Sequence, residues 1–297
     1  MAEKKATKKT VAGIMGTAQE YADAARRRLA EKAAKAEEKP QQLFLPGVKH
    51  GMRAMPNHLA RSSLFAPVAP GRKKMHKDHE LVTRGGTVVR FWGEQLDEAQ
   101  ADVWLQAMYE AMRVPLGQPV VIKRSVFLAA IGRADSGQNY QWLHRSMKAL
   151  AFAMLVIEVE TRGQPVLSIG KTNALHMIDS FDYDDENEAY TLRINPRWCL
   201  LHDAGEYARI DWEKRLQFGR HQNMAKALQR LIATSDTRLQ RFGLDWLKKK
   251  LEYTGRQRDF ESALLSALRE LERLAIICGG KIGKSSKDLA QVSWIRL

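Results

Sequence analysis

The chain has 297 residues, 44% hydrophobic and 28% charged, which leaves room for two domains with proper cores and fits an ordinary globular protein. A formal net charge of +14 and a pI near 9.8 point to a polyanionic partner. No apolar run approaches the roughly 18 residues that a membrane span needs, and no apolar core follows the Lys-rich start as a secretory signal would require, so no membrane contact and a cytoplasmic location are expected.

The charge is unevenly placed: net +4 over residues 1–39, +5 over 40–80, −2 over 81–202 and +7 over 203–297. Residues 1–40 have helix propensity but too few large apolar groups to bury, so they read as a disordered or partly helical basic arm. Its Lys4-Lys5, Lys8-Lys9 and Arg26-Arg27-Arg28 clusters either hold DNA backbone or only keep the chain soluble. Prolines at 40, 46, 56, 67 and 70 make residues 41–80 read as a linker. Its large apolar groups Leu43, Phe44, Leu45, Leu64 and Phe65 either cap the next domain's core or anchor in a partner's groove. Gln42-Leu43-Phe44-Leu45-Pro46 resembles the short peptides that bind bacterial sliding clamps, and Ser63-Leu64-Phe65 does so more weakly. His76 and His79 lack the further ligands that a metal site needs.

A first domain is expected over 81–202. Thr87 to Trp92 reads as a strand, and Leu96-Asp97-Glu98 opens a helix with acids where the dipole favours them. Val120 to Ile122 leads into a short apolar helix, Val126 to Ile131, that Gly132 stops. After the polar turn Arg133 to Gly137, a second helix at about 138–151 carries Leu143, Met147, Leu150 and Met154 on one stripe. Gln141, Arg145 and Lys148 repeat on the opposite face, with Asn139 and Trp142 nearby. A strand at 155–160 follows, then strands near 166–169, 175–181 and 190–194. This is the order of a winged helix-turn-helix, whose second helix enters a DNA major groove. Asp182, Asp184, Asp185, Glu186 and Glu188 read as an acidic hairpin tip facing water, without the spacing of a calcium loop.

A second domain is expected over 203–297. Ala208 to Trp212 reads as a strand matched by Val292 to Ile295, with helices from Met224, from Gly243 and from Asp259 to Leu274. In the helix from Gly243, Leu244, Leu247 and Leu251 point inward and Lys248-Lys249-Lys250 outward. Phe260, Leu264, Leu268 and Leu271 form the last helix's buried stripe, and Ser262, Ser266, Arg269 and Arg273 its other face, with Arg256 and Arg258 in the turn before it. Gly279 to Lys287 reads as a cationic wing carrying Lys281, Lys284 and Lys287. The fold class is therefore α+β, two tandem winged helix-turn-helix domains behind the basic arm. Arg145 is the candidate for guanine, Gln141 or Asn139 for adenine, and the wing lysines for phosphate or a minor groove.

Met52 to Asn57, Leu59, Arg61 to Phe65 and Gly71 to Lys74 resemble the opening of the TrfA-type plasmid replication initiators. The likeness continues through Gly93 to Asp97, Asp102 to Trp104, Gly132 to Gly137, Leu143 to Arg145 and Leu192 to Pro196. It implies binding to repeated origin sites, duplex opening with single-stranded DNA exposed, recruitment of the host's replicative helicase and sliding clamp, and a monomer–dimer equilibrium. A winged-helix repressor or a partition-type DNA-binding protein is the alternative.

Catalytic and cofactor chemistry is not expected. Gly283-Lys284-Ser285 imitates a phosphate loop, but Cys278 stands where the first glycine is needed and a strand follows where a helix should start. Gly170-Lys171-Thr172 fails similarly, with Pro165 in the glycine's place. Cys199 and Cys278 have no metal-ligand spacing and suit buried thiols in a reducing compartment.

Overall fold

The computed structural model describes residues 44–45, 47–68, 73–161, 164–169, 175–202, 207–219 and 221–297. The expected arm, Gln42 and Leu43 lie outside these residues. From Leu43 to Leu297 the chain forms one compact unit.

The described elements begin with β1 (Met52–Pro56), α1 (Asn57–Arg61), β2 (Phe65–Ala66), β3 (Met75–Glu80), β4 (Thr87–Glu94), β5 (Leu96–Asp97) and α2 (Glu98–Ala111). Next come β6 (Val120–Lys123), α3 (Arg124–Ala130), α4 (Gly137–Phe152), β7 (Met154–Thr161), β8 (Gln164–Ile169), β9 (Leu175–His176), β10 (Ser180–Asp184) and β11 (Ala189–Arg193). A 3-10 turn, Pro196–Leu201, leads to β12 (Tyr207–Asp211), α5 (Trp212–Leu216), α6 (Asn223–Ile232), β13 (Leu239–Gly243), α7 (Leu244–Lys250), α8 (Gln257–Arg273), β14 (Ile277–Lys284) and β15 (Ala290–Arg296). The main sheet runs β3-β4-β7-β8 with β9 also on β7, beside the smaller sheets β10-β11-β6 and β13-β15-β14. One apolar cluster spans Leu45 to Trp212 and a second spans Phe218 to Trp294. The fold mixes helices and sheets, as expected.

The segment read as a linker is instead part of the first core. Leu45, Leu64 and Phe65 are buried, and the Phe65 ring packs 6.2 Å from that of Trp104. They cap the core and are not free to anchor in a partner, whereas Phe44 is exposed. The prolines mislead because Pro56 ends a strand and Pro67 follows one, where a missing N–H interrupts nothing. Arg53, also buried, fixes the segment by donating to Gln106 Oε1 at 2.7 and 3.0 Å and lying 3.7 Å over the Tyr109 ring. Burial lowers its pKa to about 10.

Three further expectations need correction. β12 pairs with β1, Met52 against Asp211 and Pro56 against Tyr207, whereas Val292 to Ile295 pairs with β13. Met154 starts β7 and does not extend the α4 stripe, because the helix ends at Phe152. Cys199 is buried, but Cys278 sits exposed on β14.

α2 organises the rest. Asp97 accepts from the Gln100 N–H at 2.9 Å, and the Gln100 side chain accepts from the Asp97 N–H at 3.0 Å, a reciprocal cap. The helix is buried nearly all round, including Glu98 and Asp102, and buried carboxylates need partners. Arg215 supplies them: its Nη2 lies 3.0 Å from Glu98 Oε2 and its Nε 2.5 Å from Asp102 Oδ1. Arg230 also binds Glu98 and donates to the Phe65 carbonyl at 2.9 Å, while Lys226 reaches Asp102 at 2.6 Å. The side chains of Glu98, Arg215 and Arg230 are fully buried. Burial works against the charge on Asp102, but Arg215 and Lys226 outweigh it and hold its pKa below the usual carboxylate range. We expect Glu98→Gln, which strips two buried guanidiniums of their counter-charge, to lose about 3–5 kcal/mol in denaturant unfolding; an effect below about 1 kcal/mol would contradict this account.

Lys250, expected on the outer face of α7, is buried and donates to the Ser62 carbonyl at 3.1 Å. Burial, reinforced by Arg230, lowers its pKa from 10.5 to about 7. Between those values the unfolded chain holds a proton on this lysine that the folded chain lacks, so the contribution of Lys250 to stability rises with pH across that window and is least below about 7. Lys250→Met is expected to flatten this slope in unfolding measured from pH 7 to pH 10; an unchanged slope would show that Lys250 does not cause it.

Candidate nucleic-acid interface

α3 and α4 meet through a tight turn that begins at Gly132. Its φ of +71° is a left-handed conformation that L side chains rarely adopt. A Cβ there would also come within 3.2 Å of Leu216 Cδ2. Gly132 N–H and Arg133 N–H close the end of α3 onto the Ala129 and Leu128 carbonyls at 3.0 and 2.8 Å. Ser136 then caps α4 by accepting from the Asn139 N–H. Leu143, Ser146, Met147 and Leu150 are buried, so Gln141, Arg145 and Lys148 point to solvent from the opposite side.

Two neighbours expected in the same group do other work. The Asn139 side chain donates to the Ala134 carbonyl at 2.7 Å and so holds the turn. Trp142 is half-buried beneath Arg133, whose guanidinium lies 3.4 Å from the ring centroid. Burial lowers the Arg133 pKa, with Asp102 and Asp97 acting against the shift. Trp142 thus buttresses the solvent face of α4 from beneath, while Asn139, itself exposed, commits its amide to the turn. Arg133 itself is absent from the expected site; its place in the polar turn was visible, but its stacking on Trp142, nine residues further on, was not. On the other flank, His144 packs against Phe181, Tyr183 and Tyr190 of the β10–β11 hairpin, and Arg124 stacks 3.9 Å over Tyr140. The acidic tip of this hairpin is exposed as expected, and Glu188 beside it pairs with Arg124 at the start of α3.

The second group is built alike. α8 buries Phe260, Leu264, Ala267, Leu268 and Leu271 and exposes Arg258, Ser262, Ser266 and Arg269, with Arg256 exposed just before it. Asp259, also exposed in the first turn, places one carboxylate beside this face. Arg273 is tied down, donating to Glu270 at 2.7 Å and to the Gln217 carbonyl at 2.9 Å. The β14–β15 hairpin lies against α8: Gly280 N–H donates to Glu272 at 2.8 Å, and a Cβ on Gly280 would sit 3.2 Å from Leu268 Cβ. Lys281, Lys284 and Lys287 are exposed along it, with Lys284 sharing its charge with Asp288 at 2.8 Å. Among the described residues no cluster of His, Cys, Asp and Glu is arranged to hold a metal, and no helix is long and apolar enough to cross a membrane.

Gly132→Ala is expected to cost about 1–2 kcal/mol in chemical denaturation, because it forces a side chain into a left-handed conformation; no loss would mean that the turn relaxes freely.

No family model and no curated protein matches the chain. Its fold is similar to two crystal structures of domains 2 and 3 of RctB. One, of selenomethionine derivatives, superposes with a TM-score of 0.50 at 13% identity and covers 82% of this chain and 98% of that chain. The other gives a TM-score of 0.49 at 13% identity, covering 80% and 96%.

Proposed function

We propose that this chain is a replication initiator of the TrfA-like kind, binding repeated origin sites with two winged-helix readers. The observation that carries the proposal is that α3–α4 and α7–α8, each a short helix, a turn and a longer helix, lie in one compact unit and each leave polar and cationic side chains in solvent. The fold shared with domains 2 and 3 of RctB, a replication initiator, supports the same reading. In this reading α4 and α8 enter successive major grooves. Arg145 makes the bidentate guanine contact, Gln141 reads adenine, and Lys148 with the β14–β15 lysines holds phosphate. Duplex opening draws its energy from binding along the repeats and from bending, with no nucleotide hydrolysed. The host's replicative helicase and sliding clamp are the partners, and monomers from a monomer–dimer equilibrium occupy the repeats.

Footprinting on the DNA beside the gene tests this. Protection of direct repeats is expected, whereas one protected inverted repeat would favour a repressor. Arg145→Ala is expected to weaken specific binding by about 1–3 kcal/mol and to relax one base position. Equal weakening on every sequence would remove Arg145 from base reading.

A further inference from the structure

A cavity of about 300 Å³ lies between the two halves, beside β13 at the edge of its sheet. Arg61, Arg84 and Arg241 rim it, with Thr237, Leu239 and Phe242 in its walls. Among the described residues, no carboxylate lines it. Arg84 and Arg241 are exposed, and Arg84 is steadied 5.0 Å from the Phe242 ring and 5.6 Å from the Trp246 ring. Arg61 donates to the Thr234 carbonyl at 2.7 Å, and the adjacent Asp236 is engaged by Arg296 at 2.8 Å. Arg84 and Arg241 make this rim cationic, and a carboxylate seated there would meet charge-assisted donors.

The same chain carries a complementary plug. Asp182, Asp184, Asp185 and Glu186 are exposed on the β10–β11 hairpin. Asp184 accepts from the Glu186 N–H at 2.9 Å, the Asn187 N–H at 3.1 Å and the Asn187 side chain at 2.7 Å. These bonds stiffen the turn and leave Asp185 and Glu186 leading at its tip. The hairpin's own neighbours are β6 and α4, whereas the cavity is built from β13, the end of α6 and the loop before β4.

We propose that the acidic β10–β11 tip of one molecule docks into the arginine cavity of a second copy of the chain. Socket and plug are different surfaces, so one docking leaves a socket and a plug open unless the two copies dock reciprocally and close as a pair. The claim concerns the free protein and does not rest on what the chain does with DNA.

Sedimentation velocity on the full chain at low ionic strength tests it. The wild type is expected to associate with rising concentration and to dissociate when salt is added. Asp185→Arg/Glu186→Arg, confined to an exposed turn, and Arg84→Glu/Arg241→Glu each set like charges against each other and should raise the association Kd roughly a hundredfold or more. A chain carrying all four substitutions should associate again, as should a mixture of the two double variants. A wild type that stays monomeric, or an Asp185→Arg/Glu186→Arg protein that associates as before, overturns the proposal. Loss of association in both double variants without recovery in the four-fold variant overturns it equally.

Discussion

Two carboxylates on one helix, Glu98 and Asp102, hold the molecule to a single arrangement. They lie a turn apart on α2, both buried, and among the described residues every cation that forms an ion pair with them comes from beyond residue 211. Apolar packing alone is non-directional and would let two separate clusters slide over each other. A guanidinium gripping two carboxylates has fixed geometry, and a shift of register would strand buried charge. The seam between the halves is thus ionic at its centre, and the buried Lys250 bonds across it to the Ser62 carbonyl.

The connection at this seam is a strut and not a tether. The Trp212 indole donates to the Ala130 carbonyl at 2.9 Å, and Leu216 lies against the turn at Gly132. A few residues on, Lys214 donates to the Ala275 carbonyl at 2.8 Å and the Gln217 carbonyl accepts from Arg273. One short stretch thereby touches the turn that aims α4 and the far end of α8. The two exposed faces share a frame, and neither can turn without moving packed atoms.

What was legible in the sequence follows from periodicity. The stripes Leu143-Met147-Leu150 and Phe260-Leu264-Leu268-Leu271 are buried as their spacing required, and the polar residues opposite them are exposed. The acidic run also reads correctly as a hairpin tip. What was not legible shares one cause, since its signal is a partner distant along the chain. Glu98 meets Arg215 and Arg230 across 117 and 132 residues, and nothing local distinguishes these from surface charges. Lys250 reads as part of a solvated lysine run until the Ser62 carbonyl is set beside it. Pro56 and Pro67 suggested a break in structure where they mark the ends of short strands. Asn139 and Trp142 sit in the right region of α4, but their roles depend on Ala134 and Arg133 within the turn, which spacing alone does not reveal.

The pairing of β1 with β12 carries a consequence for synthesis. As the nascent chain leaves the ribosome, Met52–Pro56 emerges long before Tyr207–Asp211, its only strand partner among the described residues. Until then an edge with open amides and carbonyls stands beside a helix holding uncompensated acid. Closure is therefore a late, long-range event, and the first half cannot mature on its own while the remainder is still being translated.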